Sequence, residues 1–507
     1  MNAKTFTRLV PPLIIVVAAL SLQAGIAPRA AVQSGPSIAV PKAWNDRDLS
    51  QWATPLAGLG QRPGFYSEAE LDAIPVEKLY RAYPTYHPDY EPAGYWDWLQ
   101  KQPPRPLLDP ASLHTEGEWI AAGRSVFHEL YRPLPTADLV SIVRSRSALE
   151  RLGMKALPDG TLPLLWIVTP DGVRPVPKAC ASCHTRYLPD GTIIDGAPGD
   201  HQLLPVPRLR GNLQRFNPEA QRTRLYREYR VPWVKNDIHE TITSMPPDDL
   251  RELASVEIRE DGIMPRFGSA FFPTKTLDLN GVRDRKYLDH TATHLNRGVG
   301  DIMRYALNID CCHAEIYGPF RFDIDPATGK PRLPRFRLPD DVLFALATYI
   351  YSLNPPPSPY RNDPHAAEGK RIFEREGCGA CHTPPLYTNN KLTLAKGFTP
   401  PVDHPYKNDI MPLSVGTDPG RAMQTRVGTG FYRVPSLKGV WYRGLFGHAG
   451  DVVTLEDWFD PARLRDGYVP SGWQGIKQTH RAVPGHQFGL KLPSAEKRAL
   501  IAFLKTL

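Results

Sequence analysis

Lys178–Tyr187 reads "KACASCHTRY", and Gly377–Leu386 answers it with "GCGACHTPPL". Each stretch places two cysteines two residues apart and a histidine directly after the second: Cys180, Cys183 and His184, then Cys378, Cys381 and His382. Four of the chain's six cysteines lie in this one spacing, so its meaning decides the fold.

The flanking sequence is duplicated as well. "IAAGRSVFHEL" (120–130) aligns with "AAEGKRIFEREGC" (366–378) when Gly123 is set on Gly369, which pairs Val126 with Ile372 and Phe127 with Phe373. "LPDDVLFALATYIYSL" (338–353) aligns without a gap with "LPSAEKRALIAFLKTL" (492–507). Each of the latter opens on Leu-Pro and a capping Asp340 or Ser494. Apolar residues then follow at helical spacing: Leu346, Tyr349, Ile350 and Leu353 against Leu500, Phe503, Leu504 and Leu507. The order helix, CxxCH, helix therefore occurs twice. Residues 115–353 and 364–507 are expected to be two units, joined by the stiff Pro-rich linker 354–363, "NPPPSPYRND". Between Gly123 and Cys180 the first unit carries an insertion in which Leu165–Thr169 reads as a strand ending at an Asp-Gly turn. Residues 32–114, rich in Pro and aromatics, carry no motif.

Composition agrees with a folded chain. Its 507 residues are 41% hydrophobic and 22% charged, and 54 prolines predict long stiff loops around short elements. The fold class expected is mainly α, two cytochrome c-like haem domains with long Pro-rich loops and a few short strands. The net charge of +8 is scattered rather than clustered, which argues against nucleic acid as a partner and for a basic surface that meets acidic redox partners. Residues 1–31 read as a signal peptide or N-terminal anchor: Lys4 and Arg8 precede the apolar run Leu9–Leu22, and small residues follow. A periplasmic or secreted location follows, with membrane attachment only if that segment stays uncleaved.

The chemistry that needs Cys-x-x-Cys-His is covalent haem attachment: the two thiols add across the vinyl groups and the adjacent imidazole ligates iron. A redox dithiol has no need of the histidine, and a zinc site would need a second ligand pair. Two covalently bound haem c groups are thus expected, on Cys180, Cys183 and His184 and on Cys378, Cys381 and His382. The sixth ligand decides what each iron does, since a strong one makes an electron carrier and an open position makes a site for peroxide or dioxygen. For the second haem the candidates are Met411, Met423, His448 and His486, with His486 favoured for its place just before the closing helix. For the first, His201, His290 and His294 are candidates, and Asn296 and Arg297 would polarise a bound oxidant if they line the distal face. Cys311 and Cys312 fit no haem motif and are read as structural.

With these residues in place, the chain resembles the bacterial di-haem cytochrome c peroxidase superfamily, which includes the methylamine-dehydrogenase maturation enzyme. The likeness spans about residues 115–507 and includes "YRVPSLKGVWYRGLFGHAGDVVTLEDW" (432–458). The segments "LDLNGVRDRKYLDHTATHLNRG" (277–298), "EGCGACHTPPLYTNNKL" (376–392) and "GHQFGLKL" (485–492) are similar to the rubber oxygenase branch. The resemblance implies a reactive haem on His184 and an electron-transfer haem on His382. It also implies a bound calcium between the domains, a small redox partner protein or other electron donor, and possible organic substrates beside the oxidant. The peroxidases place a Met on the second haem some way past a His-x-Gly segment. Here no Met follows Met423, so a histidine is implied, again favouring His486, and His448 at the His-x-Gly position becomes a contact to the haem's periphery. His201 sits where the peroxidases carry a removable ligand on the first haem.

Overall fold

The computed structural model describes residues 38–132, 139–199, 216–256, 262–264, 268–269, 271–309, 314–321, 324, 328–329 and 333–507. The export segment, His201, Cys311 and Cys312 lie outside the described residues.

Two helix pairs organise the chain. The first is α1 (Glu116–Glu129) against a later helix, Asp340–Ser352. Thr115 starts α1 through a capping box with Glu118, and Trp119, Gly123, Val126 and Phe127 recur on the buried side at the spacing of one helical face. The insertion contributes β2 (Thr161–Thr169) and β3 (Gly172–Pro177), and the N-terminal extension adds β1 (Ala82–Tyr86), giving an antiparallel sheet in the order β1-β2-β3. All of β2 is buried because both of its faces are covered: Leu165 and Ile167 enter the main core, while Leu164, Trp166 and Val168 enter a smaller one with Leu99 and Leu149. The expected strand is thus present and starts earlier, at Thr161.

After β3 comes α2 (Cys180–Cys183), one turn long, followed by the hairpin β4 (Thr185–Tyr187) and β5 (Ile193–Asp195). Helix α3 (Val299–Leu307) packs on α4, the Asp340–Ser352 helix already met. The extended stretch after α4 leads to α5 (Ala366–Arg375), then a small sheet in which β6 (Leu392–Leu394) lies between β7 (Ile410–Met411) and β8 (Phe431–Arg433). Helix α6 (Val440–Arg443) is one turn, and α7 (Ser494–Lys505) ends the chain, packed on α5. The chain is α-rich with small sheets.

The two pairs cross at equivalent glycines. A Cβ on Gly123 would overlap the Ala345 carbonyl and stand 2.7 Å from Tyr349 Cβ; on Gly369 it would overlap the Ala499 carbonyl and stand 2.6 Å from Phe503 Cβ. Ala345 and Tyr349 are the residues that the sequence alignment sets on Ala499 and Phe503. Only a residue without a side chain lets backbones approach this closely. The expected caps shift by one residue: Pro339 and Pro493 hold the N-cap positions, and Asp340 accepts from the Ala43 amide instead, tying the N-terminal extension to α4.

That extension is part of the main core, through Trp44, Leu49, Trp52 and Tyr66. It docks on the 289–298 segment: the Thr54 amide donates to Thr293 O, the Leu295 amide to Trp52 O, and Trp52 stacks against His294 with ring centres 4.4 Å apart. No helix among the described residues is long and apolar enough to cross a membrane.

Candidate functional site

A deep, largely apolar cavity opens beside α5 and α7, and its wall includes Cys378, Cys381, His382 and His486. Leu500 and Leu504 of α7, Phe373 of α5, Val440 of α6 and Leu455 supply apolar wall. The CxxCH segment leaves α5 through Gly377, in the left-handed conformation (φ +71°), and the His382 amide closes back on Cys378 O. His382 Nδ1–H donates to two carbonyls, Pro435 O at 3.1 Å and Tyr387 O at 3.2 Å. Both partners are acceptors only, which fixes the proton on Nδ1 and leaves Nε2 as a lone-pair donor. Burial holds this imidazole neutral by lowering its pKa.

His486 faces it across the cavity. The two ring centres are 6.3 Å apart and the planes are inclined by 57°. Two imidazoles on opposite sides of one metal ion, with bonds of roughly 2 Å and about 1.1 Å from nitrogen to ring centre, stand about 6 Å apart. Burial, then His382 and Arg463, lowers the His486 pKa to about 4, so this ring is neutral too, and its Nδ1 is buried without a hydrogen-bond partner. His486 sits in the left-handed backbone region (φ +45°), unusual for a residue with a side chain. Arg463 holds it there: fully buried, it donates to Trp458 O, Val483 O, Gly485 O and His486 O, while the His486 amide donates to Val415 O. A Cβ on Gly485 would collide with the backbone of Gly416 and Thr417, so the loop needs glycine there.

The other sixth-ligand candidates lie elsewhere. His448 lines the cavity away from this pair, stacked on Tyr432 with ring centres 4.7 Å apart, and burial lowers its pKa to about 4. Met411 Sδ accepts from Asn389 Nδ2, and Met423 packs with Ala422 and Tyr432; neither lines the cavity. His290, weighed for the first haem, instead lines this cavity near His448, and its Nε2 is buried without a partner. His294 turns the other way. Its Nδ1 is 2.9 Å from Asp289 and its Nε2 is 2.6 Å from Glu315. Burial lowers its pKa, but the two carboxylates outweigh burial and raise it to about 10, so it is a cation locked between two anions. Arg297 is held by both oxygens of Asp301 and by Asp48 O, and Asn296 Nδ2 donates to Val282 O and Arg285 O.

At the first motif, the Ala179 amide donates to Leu130 O at the end of α1, and the His184 amide to Cys180 O. The β4–β5 hairpin brings the chain back, so that Gly196 N donates to His184 O and Gly199 N to Cys183 O. The thiols of both motifs are free of disulfides. The hairpin joins the two motifs: Arg186 donates to Arg443 O, Pro198 lines the second cavity, and Trp441 and Tyr442 of α6 pack on Leu188, Ile194 and Ala197. Among the described residues no cluster of three or more His, Cys, Asp or Glu side chains could hold a metal ion.

The donor set fits a covalently attached haem: two free thiols, two neutral facing imidazoles at the separation one iron needs, and an apolar slot between them. The sequence did not point to Arg463, nor to the cations Lys275, Arg285, Arg433 and Arg443 that line the cavity. No family model and no curated protein matches the chain. Among solved structures it is similar to hydrazine synthase of Kuenenia stuttgartiensis, at 17% identity over 58% of this chain and 89% of that one, TM-score 0.29. It is similar to a MauG-like protein associated with microbial copper homeostasis, at 16% over 57% of this chain and 88% of that one, TM-score 0.28. It is similar to a variant of a diheme peroxidase from Burkholderia thailandensis, at 20% over 33% of this chain and 49% of that one, TM-score 0.20. At such scores the backbones share too little to bear on the site, whose chemistry follows from its own geometry.

Proposed function

We propose that the chain is an exported di-haem c-type oxidoreductase that activates peroxide or dioxygen at a first haem on His184 and transfers electrons through a second haem in the His382–His486 cavity. When bound, haem supplies a one-electron iron couple and, where an axial position is open, a place for an oxidant. The observation that carries the reading is the facing pair, His382 and His486, with Cys378 and Cys381 in the same cavity. His382 and His486 would together hold the iron and leave no place on it for a substrate, which suits a site that only passes electrons.

The residues divide the work. Pro435 O and Tyr387 O orient His382; Arg463 orients His486; the apolar wall of α5, α6 and α7 keeps water out. The contact of Pro198, Trp441 and Tyr442 with the hairpin behind His184 supports a short route between the two sites. An external donor, a small redox protein in the periplasm or outside the cell, would reduce the second site, and an organic substrate of the first is compatible with the same arrangement.

Absorption and EPR spectra test the reading. His486→Ala should convert one low-spin haem to high-spin while leaving both porphyrins attached, and His184→Ala should abolish reaction with peroxide and dioxygen. Two haems that stay low-spin and inert to both oxidants in either redox state would make the chain an electron-transfer cytochrome instead.

A further inference from the structure

Cations gather on part of the wall of the His382–His486 cavity. Its wall carries four cations, Lys275, Arg285, Arg433 and Arg443, against one carboxylate, Asp278. Asp278 is already engaged: it accepts from Arg443 Nε at 2.8 Å, from Tyr442 OH at 3.0 Å and from the amide and side chain of Asn280. Arg285 uses its terminal nitrogens on Asp278 O and Asn280 O. Lys275 Nζ donates to Leu445 O, and Arg433 donates through Nε to Asp289 O. The neighbouring carboxylates are occupied, Asp289 by His294 and Asp451 by Arg481. His290 and His448 line the same cavity, His290 with an unpartnered buried Nε2.

Burying a cation without its anion costs several kcal/mol. Desolvation, helped by the neighbouring arginines, lowers Lys275 to about 7 and Arg433 to about 9, the direction expected for cations crowded together on one wall. Arg285 is buried and Lys275, Arg433 and Arg443 are partly buried, so four cations share one wall with a single carboxylate that is already engaged, and an anion seated among them would relieve that charge.

We propose that this part of the cavity wall is the binding site for the two carboxylates of the porphyrin attached at Cys378 and Cys381, with Lys275 and Arg433 as the residues that pair with them. The proposal rests on the di-haem reading above. Pro198 lines the same cavity and precedes Gly199, whose amide donates to Cys183 O of the first motif, so a cofactor held there would lie in the cavity that this connection borders.

The test uses the full chain matured with its haems. Lys275→Gln and Arg433→Gln remove a charge, Lys275→Arg and Arg433→Lys keep it, and Lys101→Gln, at an exposed position, is the control. Each charge-removing variant should keep two porphyrin masses and the low-spin bands. Its second haem should shift at least tenfold toward the oxidised form at a fixed potential, 59 mV for one electron. Its Tm should fall, because a buried carboxylate loses its partner; failure to accumulate folded protein is the extreme of the same loss. The charge-keeping variants and the control should shift less than twofold. An unchanged potential, a raised Tm in the Gln variants, or equal shifts in charge-keeping and charge-removing variants would overturn the proposal with the di-haem reading intact. A wild-type Tm that climbs with added phosphate would assign the site to a free anion and overturn it likewise. Absence of porphyrin from the wild-type chain would instead sink the di-haem reading.

Discussion

Gly369→Ala should destabilise the protein although alanine is the better helix former. The added methyl would stand 2.7 Å from the Ala499 carbonyl carbon and 2.6 Å from Phe503 Cβ. Carbon atoms rest at roughly 3.5–4.0 Å, so α5 and α7 must part by about 1 Å. Overpacking of this kind costs about 1–3 kcal/mol, against a gain of up to about 1 kcal/mol in helix propensity. Because the overlap is with backbone, the cost falls at the upper end of that range and the expected net loss is about 2 kcal/mol; the same holds for Gly123→Ala, where the methyl would meet the Ala345 carbonyl and Tyr349 Cβ. Gly117, on α1 with nothing within 4 Å of where a methyl would stand, isolates the propensity term: Gly117→Ala should be neutral or gain a few tenths to about 1 kcal/mol. Urea unfolding followed by far-UV circular dichroism measures all three. Because Leu500 and Leu504 line the cavity, the absorption bands of the haem proposed at His382 should change with Gly369→Ala and not with Gly123→Ala. A Gly369→Ala protein as stable as wild type, or three equal effects, would refute the close crossing.

Two more expectations concern single side chains. Arg463→Met removes the donors to four carbonyls that shape the His486 loop, at about 1–3 kcal/mol for each acceptor left dry. The haem proposed at His382 should then become a mixture of low-spin and high-spin forms in EPR, with Arg463→Lys restoring part of the low-spin fraction; a fully low-spin Arg463→Met protein would remove Arg463 from the positioning of His486. His294, raised from 6.5 to about 10, should stay protonated at pH 8.5, as read by its C2-proton exchange in mass spectrometry. Since the folded-state pKa is the higher one, its stabilisation is complete below about pH 6.5 and is lost as pH rises through about 10, up to about 5 kcal/mol in all; an exchange midpoint near 6.5 would contradict the double ion pair.

The paired helices were legible because their information is local: a glycine among apolar residues at helical spacing states both the helix and its closest contact. The proposed haem attachment rests on local information too, since its three bonds would demand three neighbouring residues. What the sequence could not show is which way later histidines turn. His290 and His294 are four apart and would share a face if helical, but Ala292 adopts φ +55° between them. That turn sends His290 to the cavity and His294 to Asp289, Glu315 and the N-terminal extension. The cationic wall was invisible for a related reason, being assembled from residues 275–285 and 433–443, distant in the chain and unremarkable in each place. Arg463 is legible only once the carbonyls of 483–486 are seen curled around it.

Distances alone do not make a site, and one other constellation shows why. His239 Nδ1 lies 2.7 Å from Asp237 and its Nε2 lies 2.7 Å from Ser269 Oγ, the order of a hydrolase's nucleophile and base. Yet all three side chains are buried, and Ser269 Oγ, donating to His239, also accepts the amides of Phe271 and Phe272. Its bonding capacity is used in fastening a loop, and no substrate carbonyl could reach it. The His382–His486 pair has the opposite character: His382 has one nitrogen bonded to carbonyls, His486 has its Nδ1 unbonded, and both rings border open space flanked by two free thiols. Unfilled bonding capacity bordering a cavity calls for a ligand, whereas filled capacity in a packed core explains itself.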